Sequence, residues 1–160
     1  MPKDYFNDPI ERATGESFAT SPHSLMFERL VSNLQSTLDE EVFFDDSDWP
    51  EGFDWRSEAE AVWAGLAEDA TLLATFRTCR PDDRLLCRAA GVIHRAIRAG
   101  SPAELEAARI KLAKIMQKPA EPRIHFMLEE AGLSLEQMAD RAEVEGQEPP
   151  EADLGLTPEA

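Results

Sequence analysis

The sequence predicts an all-α bundle of about five to six helices, with a central antiparallel helical hairpin and disordered acidic termini. Three observations carry this expectation. Apolar residues recur every three or four positions through segment after segment. Ser-Pro and Ser-x-x-Glu start signals stand in front of those segments. Valine, isoleucine and tyrosine are sparse, and no period-2 alternation lasts for a strand length. At 160 residues the chain has room for one ordinary domain.

Residues 1–20 are polar and broken by Pro2, Pro9 and Gly15, which predicts a flexible N-terminal arm. A single helical domain is expected over 21–144. Its first helix, about 22–39, has Ser21 as cap and Pro22 in the first turn. Met26, Leu30, Leu34 and Leu38 form the stripe, flanked by Phe27 and Val31. An acidic aromatic loop follows at 39–56. The next helix opens with Ser57 and Glu60 at capping-box spacing. Ala59, Val62, Leu66, Leu73 and Phe76 share one face of it, and Asp69 interrupts that face, which predicts a bend between Gly65 and Asp69.

A third helix is expected from Pro81 to Ala99, stopped by a left-handed turn at Gly100. Ser101, Pro102 and Glu104 restart the chain at once, and so short a link predicts a helical hairpin. Leu105, Ala108, Leu112, Ile115 and Met116 are its second buried stripe. Beyond Pro119 and Pro122, a short helix ending near Gly132 and another capped by Ser134 complete the domain. Residues 145–160 are acidic and Pro-rich, the composition of a disordered tail.

Charge is unevenly placed. The formal net charge is -16, yet residues 79–118 hold nine basic and four acidic residues, a local +5 between acidic flanks. At about 100° per residue, Arg84, Arg88, Arg95 and Arg98 fall on one line, with Gly91 at its middle. Leu85, Leu86, Ala89, Val92, Ile93, Ala96 and Ile97 lie opposite. Lys111, Lys114 and Lys118 add a second basic row. A guanidinium row suits carboxylates or phosphates, because each planar fork offers two parallel charge-assisted hydrogen bonds. The same row also serves as an ordinary solvated face.

The stretch 39–55 holds eight acidic residues, five aromatics and no Lys or Arg. As a docking segment, Phe43, Phe44, Trp49, Phe53 and Trp55 would supply buried area, and Asp45, Asp46 and Asp48 would steer. Such a segment could also imitate the charge of nucleic acid, or simply plug the core.

Catalytic signals are missing from the sequence pattern: His23, His94 and His125 are dispersed, with no nucleophile elbow, no H-E-x-x-H helix and no Gly-rich phosphate loop. Cys79, Cys87 and His94 are separated by seven and six residues, unlike a compact zinc site. No metal or cofactor is expected. Arg84 or Arg88 beside Cys87 would favour its thiolate if that cysteine were reactive.

The segment "GLSLEQMADRAEV" resembles the front half of a repressor-type helix-turn-helix. The resemblance implies core roles for Leu133 and Met138, a helix crossing at Ala139 and a phosphate contact at Gln137. It stops where a recognition helix would begin, since Pro149, Pro150 and acids follow Val144. An ordinary capped helix pair is the preferred reading of 123–144.

The resulting expectation is a cytoplasmic, non-enzymatic regulatory or adaptor protein. It would bind a protein partner through the acidic aromatic segment and the Arg row. The alternative is a nucleic-acid-binding regulator using the 80–118 hairpin. No membrane partner is expected, for want of an apolar run of spanning length, and a homodimer stays open.

Overall fold

A computed structural model describes residues 21–45, 54–78 and 80–147, in which five helices pack as a bundle. They are α1 (Pro22–Asp45), α2 (Trp55–Thr75), α3 (Pro81–Ile97), α4 (Pro102–Met116) and α5 (Pro122–Gln147). Four of them begin at proline, whose missing N–H costs nothing in a first turn and whose fixed φ already suits a helix. Among the described residues no helix is long and apolar enough to cross a membrane. The expected arm at 1–20 and most of the tail at 145–160 lie outside the described residues.

Helix α3 is the centre of the bundle and packs against all four others, whereas α4 packs chiefly against α3 and α5. Leu86, Ala89, Ala90 and Ile93 of α3 are fully buried. Leu85, Val92 and Ala96 close the same face, as its apolar spacing predicts. Around it lie Phe27, Leu34 and Leu38 from α1, Leu73 from α2, Leu112 and Ile115 from α4, and Leu128 and Leu135 from α5.

Several boundaries differ from the sequence expectation. Helix α1 continues to Asp45, so the acidic aromatic segment begins as helix and not as loop. Glu41 explains the extension, because its carboxylate accepts the Trp63 indole N–H and lies 3.6 Å from Arg141, joining α1 to α2 and α5. Helix α2 starts three residues early, because Asp54 and not Ser57 caps it by accepting the Ser57 N–H at 3.2 Å. It does not split. Its buried face is Leu66, Ala67, Ala70 and Leu73, with Val62 and Phe76 exposed, so Asp69 faces solvent on an unbroken helix.

The hairpin forms as expected, but its turn does not use a left-handed glycine. Helix α3 ends at Ile97, and the Gly100 N–H donates to Glu104 Oε1 at 2.6 Å while Ser101 Oγ accepts the Glu104 N–H at 3.2 Å. The capping box thus reaches one residue further back than the usual pairing.

The largest correction concerns 123–144, which is one continuous helix and contains no turn. Ile124, Met127, Leu128, Ala131 and Leu135 form an unbroken buried stripe through the predicted break. Ser134, fully buried, is no cap: its Oγ donates to Gln35 Oε1 of α1 at 2.9 Å. Leu133 is exposed, and Gln137 accepts from Gln35 Nε2 at 3.0 Å within the fold. The helix-turn-helix resemblance therefore fails at its turn.

Candidate basic groove between α3 and α4

Because α3 and α4 run antiparallel across a four-residue turn, the last turns of one face the first turns of the other. Between them lies an open groove of about 580 Å³. Its α3 wall is His94, Arg95 and Arg98, and its α4 wall carries Glu104, Lys111 and Lys114. Ala107, Ala108 and Ile110 give it an apolar lining, in which Ala108 is buried and Ile110 is half exposed. The structure thus joins the Arg row and the Lys row into one site, contributing Arg95, Arg98, Lys111 and Lys114 from the seven predicted cations.

The other three stand apart. Arg84 and Arg88 are exposed nearer the start of α3 and do not line the groove. Lys118 follows the end of α4. From Arg95 back to Arg88 is about 10 Å along the helix, so the row continues as a basic approach to the groove.

Electrostatically the groove is lopsided. Among the described residues Glu104 is the one carboxylate lining it, and its Oε1 accepts the Gly100 N–H. Arg109, the remaining cation of α4's outer surface, pairs with Glu106 at 2.7 Å. Among the described residues no carboxylate forms an ion pair with Arg95, Arg98, Lys111 or Lys114. Four like charges facing a shared apolar floor can accept carboxylates or phosphates in forked, charge-assisted hydrogen bonds.

The residues predicted for partner docking divide differently. Phe44 faces Trp55 with ring centroids 5.7 Å apart, Phe43 meets Phe44 edge-on at 5.6 Å, and Arg56 stacks over Trp55 at 5.1 Å. Phe44 and Trp55 are half-buried and Phe43 is exposed. The backbone of Asp45 closes α1, while its side chain and all of Asp46, Asp48, Trp49 and Phe53 lie outside the described residues.

A second polar cluster joins the starts of α1 and α3 to the end of α2. Ser21 Oγ donates to the buried Asp83 Oδ1 at 2.9 Å, and accepts the Ser24 N–H at 3.1 Å. His23 Nε2 lies 3.0 Å from the Arg77 carbonyl, and Nδ1 lies 3.3 Å from Asp83 Oδ2, an ion-pair distance without hydrogen-bond alignment. Serine, histidine and aspartate are all present, but the order is wrong for acyl transfer: the serine proton goes to the carboxylate, and the imidazole does not touch the serine. The cluster is a clasp between helices.

Cys87 is buried on α3, and burial, with the nearby Asp83 charge, raises its thiol pKa. This reverses the expectation that Arg84 or Arg88 would promote the thiolate, since both arginines point to solvent. Cys79 lies outside the described residues. Sequence reasoning missed His94, Glu104, Ala107 and Ile110 as groove residues. Pairing the hairpin arms across the turn would have found them, since it sets the end of α3 against the start of α4.

No protein-family model, curated protein or solved structure gives a significant match to this chain.

Proposed function

We propose that the protein is a non-enzymatic regulator or adaptor that holds an acidic segment of a protein partner in the groove between α3 and α4. The observation that carries this reading is the convergence of Arg95, Arg98, Lys111 and Lys114 on one open groove without described carboxylate partners. A protein segment is favoured over nucleic acid by the lining: Ala107, Ala108 and half-exposed Ile110 offer contact to apolar side chains, which a phosphodiester backbone lacks. The overall charge of -16 also repels a long polyanion that outruns the groove. In this reading Phe44 and Trp55 fasten α1 to α2, and the acids around them keep competing anions away.

The test is fluorescence anisotropy with a labelled peptide of alternating glutamate and leucine, against a labelled single-stranded oligonucleotide. Wild-type protein should bind the peptide, and Arg95→Glu with Lys111→Glu should weaken it at least about tenfold, the loss of roughly 1.4 kcal/mol. Tighter binding of the oligonucleotide, with the steep salt dependence of counterion release, would overturn the reading in favour of the nucleic-acid alternative.

A further inference from the structure

We infer that residues 148–160 of this chain occupy the same groove and regulate access to it, an inference that rests on the groove being an acidic-segment site. The segment reads "EPPEADLGLTPEA", with Glu148, Glu151, Asp153 and Glu159, no Lys or Arg, and Leu154 and Leu156 among the acids. It carries both chemistries that the groove displays, carboxylates for the four cations and aliphatic side chains for the apolar lining.

Topology brings it within reach. Helix α5 follows α1 in direction, Arg123 meeting Glu28 and Arg141 meeting Glu41, while Ser21 and Asp83 set the starts of α1 and α3 together; α5 crosses α4 at Gly132, where an added Cβ would meet Met116 Sδ at 3.8 Å and Leu112 Cδ2 at 3.9 Å. From that crossing α5 continues to Gln147, about 22 Å on, whereas α4 extends only about 15 Å from Leu112 back to Pro102. The chain therefore leaves α5 at the end of the bundle where α3 turns into α4 and Arg98 stands. Thirteen further residues can span at most about 45 Å, and the groove from Glu104 to Lys114 is about 15 Å long. The acidic connection at 46–53 is worse placed: it is tethered to α1 and α2, and α4 packs chiefly against α3 and α5.

Tethering fixes the consequence. A short flexible link holds its end at millimolar effective concentration, so a contact too weak to matter between separate molecules still competes with an incoming partner. The groove would open when a partner binds more tightly than the tethered segment, or when something else captures that segment.

The experiment compares the full chain with one ending at Gln147, which keeps every described helix. A labelled synthetic peptide of residues 148–160 should bind the shortened chain at least about fivefold more tightly than the full chain. Arg95→Glu with Lys111→Glu in the shortened chain should abolish that binding. Amide NMR spectra of the two chains should differ at residues 94–98 and 107–114, and the difference should vanish at high salt. Equal affinities and superimposable groove resonances overturn this inference while binding of the glutamate–leucine peptide preserves the site itself. Failure of the shortened chain to bind either peptide overturns both. Differences that grow with protein concentration place the segment on a second copy and overturn the intramolecular contact. Release by Asp46→Asn with Asp48→Asn, but not by shortening, assigns the groove to the 46–53 connection instead.

Discussion

Replacing Asp83 with alanine removes the keystone of the clasp between α1 and α3, and the loss can be built from its contacts. The Ser21 hydroxyl loses a buried, charge-assisted hydrogen bond of 2.9 Å, worth about 1.5–3 kcal/mol. Asp83 also sits in the first turn of α3, where a carboxylate meets the positive end of the helix dipole for about 0.3–1 kcal/mol. Against these stands the relief of a desolvated carboxylate, 5% exposed, which returns part of the loss. The net expectation is a destabilisation of about 1.5–3 kcal/mol. With a urea m-value near 1.5 kcal/mol/M, the unfolding midpoint should fall by about 1–2 M.

Asparagine at the same position separates charge from shape. In Asp83→Asn the amide oxygen can still accept from Ser21, whose hydroxyl keeps its partner without the charge. The asparagine variant should therefore lose less than half of what alanine loses. A double-mutant cycle of Asp83→Ala with Ser21→Ala should show a coupling of about 1–2 kcal/mol, because Ser21 keeps its separate cap on the Ser24 N–H in the first variant. A loss below about 1 kcal/mol for Asp83→Ala, or strict additivity in the cycle, would refute the clasp as a source of stability.

Other outcomes follow from single contacts. Gly65 lies inside α2 with nothing within 4 Å of an added Cβ, so Gly65→Ala should stabilise by about 0.5–1 kcal/mol in the same urea assay, and a loss would show that α2 does bend there. Ser134→Ala strips the donor from Gln35 Oε1 and should cost about 1–2 kcal/mol in thermal unfolding; no loss would show that the Ser134 bond does not hold α5 to α1. Cys87, with its pKa raised by burial and by Asp83, should alkylate more slowly than a free thiol at neutral pH, with Cys87→Ser identifying its signal. The folded state holds that proton to higher pH than the unfolded state does. Stability should therefore decline as pH climbs past the unfolded thiol's pKa towards the folded one, and a rise over that window would contradict the burial.

How much of this was legible in the sequence depended on whether one chain segment carried the signal. The stripes of α1, α3 and α4 were readable because each helix buries a single apolar line, and Phe27, Leu34, Ile93 and Leu112 are all buried where the spacing placed them. The errors fall where a distant partner decides. Gly132 and Ser134 are locally a helix stop and a helix start, and nothing nearby contradicts that. What keeps α5 continuous is the Gln35 side chain, 99 positions away from Ser134 along the chain, together with the stripe running past both residues. On α2 Leu66 and Leu73 are buried as the spacing placed them, but the buried face turns towards Ala67 and Ala70 and leaves Val62 and Phe76 exposed, because alanine carries little weight in a hydropathy reading. Small residues mark the close approach of α2 to α3, and the larger ones are left at its edge.

The site follows the same logic. Helical periodicity placed four arginines on one line, yet a line on one helix is only a charged face. It takes a second helix at a fixed register to make a groove, and that register comes from the four-residue turn between Ile97 and Pro102. The turn selects Arg95 and Arg98 from the row and sets them opposite Lys111 and Lys114. It also leaves Arg84 and Arg88 outside, although their spacing is equally good. The described residues of the acidic aromatic stretch are instead used inside the fold: Phe44 packs on Trp55, and Glu41 accepts from Trp63 of α2. Charge complementarity within one chain explains both outcomes. Glu41 finds its donors inside the fold and carries α1 onward, whereas among the described residues no carboxylate pairs with Arg95, Arg98, Lys111 or Lys114, which are left lining the groove.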